Sequence, residues 1–197
     1  MKKNIEDYIF HIEKFMGSKY CDHSIDVLSK GSWIKHEWTS YGDLGPFEDL
    51  EKEAEMLDWE ADCDIDISEE INNVDALIIE NLKDALSDYL TSFKYNWFRG
   101  WQGYTGIKFN RYFPGQGMKE HWDNIHSIFD GEKKGIPILT CIGVLNDDYE
   151  GGDLMICQDK IETKKGDLLI FPSSFMYPHE VMPVTEGVRY SWISWAY

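Results

Sequence analysis

GIKFNRYF at residues 106–113 opens a series of short apolar runs that fills the C-terminal half of the chain. The later runs are IPILTCIGVLN (136–146), GDLMICQ (152–158), GDLLIFP (166–172) and VRYSWISWAY (188–197). β-Branched and aromatic residues dominate them, and turn sequences such as PGQG and KKGD separate them. Runs of this kind, with no helical periodicity between them, predict a β-sandwich or an open barrel and not a parallel sheet.

Helical spacing is typical of the N-terminal half. Apolar residues three or four apart predict a long amphipathic helix over residues 72–93 and another over 4–16, which Gly17 would close. Residues 32–41 resemble an edge strand, and residues 42–57 begin with turn residues and continue as a charged, helical surface. Helices followed by strands predict one α+β domain over 1–197, with a mainly helical flank (1–96) and a β core (105–197).

Composition and charge narrow the classes of function. The 197 residues are 43% hydrophobic, enough for one packed domain. Glu6 and Asp7 interrupt the place where a signal peptide needs its apolar segment, and no run approaches the roughly 20 apolar residues of a membrane span. Four cysteines without close pairing favour reduced thiols, so we expect a cytoplasmic protein without membrane contact. The net charge of -17 disfavours nucleic acid and suits a neutral or basic peptide.

His121 and Asp123 form the most informative pair of polar residues. On a strand, residues two apart project to the same face, so both side chains can bind one ion while Trp122 points away. His179 follows the turn FPSSFMYP at the start of another predicted strand, and a two-layer β fold could bring it opposite the pair. Two imidazoles and one carboxylate are the set expected for ferrous iron with an open face.

Zinc is the alternative metal for the same three ligands. A zinc hydrolase would need a general base and an activated water, and the chain has no HExxH helix or similar arrangement, which favours iron. His126 lies beyond the expected end of its strand, and we interpret it as a rim residue. Arg189, ten positions after His179, is one of three arginines against 16 lysines and suggests a carboxylate anchor.

From Lys108 to the C-terminus the chain resembles the prolyl 4-hydroxylase-like branch of the iron(II)- and 2-oxoglutarate-dependent oxygenases, a branch that includes the animal oxygen-sensing prolyl hydroxylases. The order and spacing of the motifs together carry the resemblance. The matching segments are RYFPGQG, HWDN, TCIGVLN, EGGDL, KKGDLLIFP, HEVMPV and GVRYSWISW.

The resemblance implies a double-stranded β-helix, or jelly-roll, core flanked by N-terminal helices. It implies that His121, Asp123 and His179 bind Fe(II) at the open end of this core. The co-substrate 2-oxoglutarate would chelate the iron, and O2 would take the position that the arriving substrate vacates. The carboxylate of Asp123 argues against the halogenating branch, where this ligand is absent.

The resemblance also implies the co-substrate contacts. Arg189 would pair with the far carboxylate of 2-oxoglutarate, and Tyr112 and Thr140 would face the same cavity. The oxygen-sensing enzymes have a further tyrosine where this chain has Val144. The second donor to the far carboxylate is therefore open between Thr140 and Ser191.

The implied reaction is hydroxylation of a prolyl residue in a peptide or protein, with conversion of 2-oxoglutarate to succinate and CO2. Two alternatives stay open: an oxygenase for a small molecule or free amino acid, and a catalytically silent metal-binding interaction module. The nucleic-acid demethylating branch is disfavoured because its second arginine would fall at Trp195. The aromatic segment 93–106 predicts either a groove for a proline-containing peptide or a cluster that seals helix to sheet.

Overall fold

A computed structural model describes residues 4–36, 54–58, 65–93, 103–124 and 137–197. It contains two α-helices, α1 (Ser18–Ser29) and α2 (Ile65–Ser92). No helix in these ranges is both long and apolar enough to cross a bilayer. The strands of the described residues are β1 (Phe10–Ile12), β2 (Trp33–Lys35), β3 (Glu55–Leu57), β4 (Lys108–Tyr112), β5 (Met118–His121), β6 (Leu139–Val144), β7 (Glu150–Gly151), β8 (Leu154–Ile156), β9 (Asp159–Ile161), β10 (Leu168–Pro172), β11 (His179–Val181), β12 (Val184–Glu186) and β13 (Arg189–Ala196).

The strands form antiparallel sheets. A seven-stranded sheet has the order β1-β10-β6-β13-β4-β3-β2, and a four-stranded sheet has the order β5-β11-β8-β9. A small ribbon pairs β12 with β7. Every strand pairing within the described residues is antiparallel. The prediction of short strands outside a parallel sheet is therefore confirmed.

Strand β10 shows how the layers are arranged. Leu168 and Ile170 pack in the cluster that contains the buried face of α2, whereas Leu169 and Phe171 pack in the cluster that contains the buried residues of β8. Alternate residues of a strand point to opposite faces. The seven-stranded sheet is thus covered by α2 on one face and by the four-stranded sheet on the other, which explains why β10 has no polar side.

The long helix predicted over residues 72–93 is confirmed. It begins earlier, at Ile65, and ends at Ser92. Val74, Ile78, Leu82 and Leu86 are all buried at helical spacing, and burial of each leucine or isoleucine contributes roughly 1.5–3 kcal/mol. This face fixes α2 against the large sheet.

The helix predicted over residues 4–16 was wrong. Residues Ile5–Tyr8 form a single 3₁₀ turn, and Phe10–Ile12 form β1 at the edge of the large sheet. Phe10 pairs with Ile170, far along the chain. Lys14 then has a φ of 55°, whereas an α-helix needs about −63°. Pairing with a distant strand therefore overrides the local helical spacing.

The edge strand predicted within residues 32–41 is confirmed as β2. Residues Glu55–Leu57, which were predicted to be helical, form strand β3 instead because they pair with both β2 and β4. The other residues of the charged segment lie outside the described residues. Arg111 of β4 holds this edge: it contacts Glu55 at 2.6 Å through Nη2, and its guanidinium lies 4.4 Å from the centre of the Trp33 ring. The edge strands are thus fixed beside the site described next.

Candidate active site

The predicted metal ligands meet at the edge of the four-stranded sheet. His121 ends β5, His179 begins β11, and the two histidines are direct partners in the antiparallel register. Asp123 follows β5 by two residues and is buried. Within the described residues, these three are the one group of His, Cys, Asp or Glu side chains arranged to hold a metal ion. Strand pairing therefore joins residues that are distant in sequence.

The geometry of the three side chains suits one small cation. Nε2 of His121 lies 3.6 Å from Oδ1 of Asp123, and Nε2 of His179 lies 3.4 Å from Oδ2. Nδ1 of His121 lies 2.6 Å from the Lys119 carbonyl oxygen, and Nδ1 of His179 lies 3.1 Å from that of Tyr177. A carbonyl oxygen only accepts hydrogen bonds, so we assign the proton to each Nδ1. Both Nε2 atoms then keep a lone pair for a metal.

Electrostatics supports the same protonation states. Burial, together with the nearby His179, lowers the pKa of His121 to about 4. Burial alone would raise the pKa of Asp123, but His179, His121 and the hydrogen bond from Thr140 outweigh it and hold that pKa below its ordinary value. A neutral imidazole and an ionised carboxylate are the forms that bind metals. His121 and Asp123 are therefore ready to act as ligands at neutral pH.

A buried hydroxyl pair orients the carboxylate. Thr140 Oγ1 donates a hydrogen bond of 2.7 Å to Oδ2 of Asp123, and the hydroxyls of Thr140 and Ser173 lie 2.8 Å apart. The backbone N–H of Asn124 donates to the Ser173 carbonyl oxygen at 3.0 Å. These contacts fix Asp123 from β6 and from the end of β10, so the large sheet supports a ligand of the small one.

Arg189 lies at the deep end of the same cavity, with 1% of its surface exposed. It pairs with Tyr112 across β13 and β4, and its guanidinium lies 5.1 Å from the centre of the Tyr112 ring. Nη1 donates a hydrogen bond of 2.9 Å to Oγ of Ser191. Gly152 leaves room for the stem, since a Cβ there would lie 3.1 Å from Arg189 Cδ, and its φ of +63° suits glycine.

Several buried polar atoms around this cavity have no hydrogen-bond partner. They include Asp123 Oδ1, His179 Nε2, Nε and Nη2 of Arg189, Asn110 Oδ1, and Nε1 of Trp192 and Trp195. A buried polar group left in this way costs about 1–3 kcal/mol, and a charged one costs more. A metal ion would satisfy the first two atoms, and an anion would satisfy the guanidinium. The residues therefore fit a metal ion together with a carboxylate-bearing molecule.

The cavity that joins these groups has a volume of about 130 Å³. Apolar side chains from both sheets, such as Ile142 and Leu154, form much of its wall. A concave, mostly apolar wall with a few polar groups is typical of a small-molecule site. The arrangement can hold one small anionic molecule next to a metal ion.

Some of the site residues predicted from the sequence line the cavity, and others do not. Tyr112, Arg189 and Ser191 line it along with the three candidate ligands. The Thr140 hydroxyl contacts Asp123 and Ser173, which favours a role in orienting Asp123 over a contact with a co-substrate. Val144 is the register partner of Ser191. His126 and most of the aromatic segment 93–106 lie outside the described residues.

Sequence reasoning missed a second group of cavity residues. His36, Met56, Lys108 and Asn110 line the cavity from the edge of the large sheet. Lys108 and Asn110 could have been found, because they precede Tyr112 on the same strand at alternate positions and therefore share its face. His36 and Met56 carry no comparable signal, since they depend on the edge strands described above.

Residues 107–197 match the family model of the 2OG-Fe(II) oxygenase superfamily. This part, slightly less than half of the chain, is similar to that superfamily. The match covers β4 to β13, and so it includes the candidate metal ligands and Arg189. The superfamily is named for 2-oxoglutarate and Fe(II), which agree with the carboxylate-bearing molecule and the metal ion that the residues fit.

Curated relatives are similar to the same half of the chain. A PKHD-type hydroxylase of Stenotrophomonas maltophilia is 34% identical over 99 residues, which cover 47% of this chain and 43% of the relative. A PKHD-type hydroxylase of Shewanella oneidensis is 38% identical over 93 residues, 44% of this chain and 40% of the relative. The chain thus spans less than half the length of these relatives.

Solved structures share the fold over nearly the whole chain. A viral collagen prolyl hydroxylase from Paramecium bursaria Chlorella virus-1 superposes with a TM-score of 0.62 at 19% identity, covering 98% of both chains. A prolyl hydroxylase from Trichoplax adhaerens, in complex with a hypoxia inducible factor peptide, gives 0.65 at 19% identity, covering 96% of this chain and 83% of the other. At this identity the likeness concerns the fold alone.

Proposed function

We propose that the protein is an Fe(II)- and 2-oxoglutarate-dependent dioxygenase that hydroxylates a prolyl residue in a protein or peptide. In this reaction one atom of O2 enters a C–H bond of the substrate as a hydroxyl. The other atom enters succinate, which forms from 2-oxoglutarate with loss of CO2. One observation carries the proposal. A single cavity contains a His-Asp-His group arranged to hold a metal ion and a buried guanidinium that an anion would satisfy.

In this proposal His121 and His179 bind iron through Nε2, and Asp123 binds it through a carboxylate oxygen. Three protein ligands on one face leave the opposite positions open for co-substrate and O2. When bound, iron and 2-oxoglutarate supply the oxidative decarboxylation that activates O2. The chain contributes ligand orientation, through the carbonyls that hold each Nδ1 proton and through the Thr140 hydroxyl on Asp123.

Arg189 is proposed to bind the far carboxylate of 2-oxoglutarate. Its planar guanidinium can donate two parallel hydrogen bonds to a carboxylate, a geometry that an ammonium lacks. Nε and Nη2, the two nitrogens of one edge, are the atoms without partners. Tyr112 lies beneath the guanidinium, and Ser191 fixes its other edge. We propose Tyr112 and Ser191 as further parts of this co-substrate pocket.

The proposal extends to the architecture. We infer that the two facing antiparallel sheets form the double-stranded β-helix of this superfamily, with residues 105–197 as its core and residues 1–96 as its flank. The single-domain organisation over 1–197 is supported by the packing of α2 and β1 onto strands of the core.

A prolyl residue is the substrate class that the motifs and the fold likeness support together. The segments RYFPGQG and HEVMPV surround the ligands, and the solved neighbours named above are prolyl hydroxylases. One observation favours a second candidate, a small molecule or a free amino acid: the cavity of about 130 Å³ is small. The tests below separate the two.

The first prediction concerns Asp123→Ala. We expect the purified wild-type protein with Fe(II) and 2-oxoglutarate to form succinate slowly even without substrate, and we expect Asp123→Ala to lose this activity because one iron ligand is gone. Asp84→Ala, which removes a carboxylate from the exposed face of α2, serves as the matched control. Metal binding by calorimetry should be lost in the first variant and kept in the second.

Wild-type protein that forms no more succinate than Asp123→Ala would overturn the oxygenase proposal and favour the silent metal-binding module. If succinate forms, mass spectrometry on proline-containing peptides and on free amino acids identifies the class. A gain of one oxygen on a peptide proline supports the first candidate, whereas oxygenation only of free amino acids replaces it with the second.

A further inference from the structure

Lys108 lies at the mouth of the cavity, at the opposite end of β4 from Tyr112. Lys108, Asn110 and Tyr112 alternate along β4 and line the same cavity. Four residues of a strand span about 13 Å. The Cα atoms of Lys108 and of Tyr112, the register partner of Arg189, are therefore about 13 Å apart, too far for one carboxylate to contact both cations.

Strand β13, which pairs with β4, also lines the cavity with alternate residues. Ile193 of β13 is the register partner of Lys108, and Trp195 follows on the same face. Nζ of Lys108 lies 5.1 Å from the centre of the Trp195 ring, within the range of a cation–π contact. Lys108 and Trp195 both line the cavity that Asp123 also lines.

The ammonium of Lys108 forms no close ion pair with a described carboxylate. Other lysines of this acidic chain pair with carboxylates, for example Lys30 with Asp26 and Lys160 with Asp153. No such ion pair joins Lys108 to a described residue. Lys108 as a whole is exposed to solvent, yet burial of its amine lowers its pKa, and the carboxylate of Asp123 opposes this shift. Both observations fit an amine in a concave opening.

His36 adds no charge to this mouth at neutral pH. It lines the cavity beside Lys108, and burial, followed by the charge of Lys108, lowers its pKa to about 4. The imidazole is therefore neutral, and Lys108 is the cation that an arriving molecule meets at this edge of the described cavity.

We propose that Lys108 binds a carboxylate of the substrate, held over the Trp195 ring next to the reacting carbon. This inference rests on the proposed function and names a feature of its substrate. In a peptide the carboxylate would belong to an acidic residue beside the target proline, and in a free amino acid it would be the α-carboxylate. We expect a substrate with a single carboxylate and not a run of acidic residues, because the net charge of -17 repels strongly acidic peptides over longer distances.

The test measures binding and not turnover. Blocked five-residue peptides carry Glu, Gln or Lys beside one proline, and free L-proline is compared with L-prolinamide. Calorimetry uses the protein with 2-oxoglutarate and with manganese in place of iron, so that no reaction occurs. We expect wild type to bind a carboxylate probe about fivefold more tightly than its neutral match, the value of a partly exposed ion pair.

Substitutions at Lys108 then test whether this lysine causes the preference for a carboxylate. Lys108→Gln should abolish it, Lys108→Glu should reverse it in favour of the Lys peptide, and Lys108→Arg should restore it. Lys83→Gln, which removes the same charge from the exposed face of α2, should keep the wild-type preference. A preference for the Glu peptide assigns the carboxylate to a peptide side chain, and a preference for L-proline over its amide assigns it to a free amino acid.

Two results would overturn the proposal: no carboxylate preference with any probe, or a preference that Lys108→Gln retains. Succinate formation does not enter this measurement. The oxygenase proposal can therefore fail while Lys108 still selects a carboxylate, and the reverse outcome is equally distinguishable.

Discussion

The deep end and the mouth of the cavity use the same two strands, β4 and β13, in different ways. Each end places a cation 5.1 Å from an aromatic ring, Arg189 over Tyr112 and Lys108 over Trp195. Arg189 is buried with a hydroxyl on one edge, whereas Lys108 is exposed. The chemistry repeats along the strands, and solvent access differs.

This difference separates two kinds of binding. A buried guanidinium has lost its hydration, so its charge is costly unless an anion is bound to it. An exposed ammonium keeps its water and tolerates the exchange of partners, and each ion pair gains little. The deep end is therefore suited to a molecule that returns in every cycle, and the mouth is suited to selection among substrates.

The largest effect is expected at the deep end. Arg189→Leu should weaken 2-oxoglutarate binding about 100-fold, because about 3 kcal/mol of charge-assisted hydrogen bonding is lost. It should also abolish the rise in Tm that 2-oxoglutarate produces in the manganese-loaded protein. Without 2-oxoglutarate, the variant should unfold at no lower a temperature than wild type, because a buried charge without a partner is removed.

Lys83→Gln is again the charge-matched control and should respond to 2-oxoglutarate like wild type. A variant at Arg189 that keeps the 2-oxoglutarate-induced rise in Tm would contradict the assignment of the deep end. Such a result would mean that Arg189, like Lys108, is not required for binding of 2-oxoglutarate. The two ends of the cavity would then no longer differ in the kind of molecule that they bind.

A smaller effect on the same pocket is expected from a glycine. Gly152 and Gly115 both have positive φ, +63° and +87°, so alanine at either position should cost about 1–2 kcal/mol of unfolding free energy. A Cβ at Gly152 would also lie 3.1 Å from Arg189 Cδ, whereas a Cβ at Gly115 would meet nothing. Urea unfolding should show a loss for both variants and a larger one for Gly152→Ala, because its Cβ would also lie 3.0 Å from Val184 Cγ2 and 3.1 Å from Tyr149 Cε2.

Only Gly152→Ala should then weaken 2-oxoglutarate binding, by about fivefold, equivalent to about 1 kcal/mol. Calorimetry on the two variants separates the steric effect on Arg189 from the shared backbone strain. Equal affinities in both variants would mean that the guanidinium tolerates displacement of its stem, and the deep end would be less rigid than its burial implies.

The sequence predicted the deep end better than the mouth, for a physical reason. Strands such as β6 and β10 are buried on both faces, so their composition indicates them without any knowledge of their partners. The HxD spacing and the position of Arg189 are local or follow a regular motif order. These features depend on the residues themselves, and the structure places all four side chains around one cavity.

The mouth depends instead on contacts between distant segments. Residues 55–57 have the composition of a charged helix and become a strand because β4 and β2 pair with them. Residues 10–12 likewise pair with β10 against their helical spacing. Alternation along β4 puts Lys108 on the face of Tyr112, but its place beside His36 and Met56 at the cavity mouth depends on the pairing of β2, β3 and β4. Long-range pairing decides these positions, and no short sequence window contains it.

The smallest effect tests the mouth through pH. Burial, followed by the charge of Lys108, lowers the pKa of His36 to about 4, against about 6.5 in an unfolded chain. Between these values the unfolded state binds more protons, so stability falls as the pH falls from 6.5 towards 4. For metal-free protein, His36 should account for a loss of about 1 kcal/mol between about pH 7.5 and pH 5.5.

Urea unfolding of His36→Gln at the two pH values measures this contribution, because glutamine does not titrate in this range. His121 also has a lowered pKa, so the variant should keep part of the wild-type pH dependence and lose the share that belongs to His36. If His36→Gln keeps the full pH dependence of wild-type stability, His36 is exposed to solvent, and the mouth of the cavity is wider than in the structure. Lys108 would then be an ordinary surface amine, and the contrast between the two ends of the cavity would reduce to burial alone.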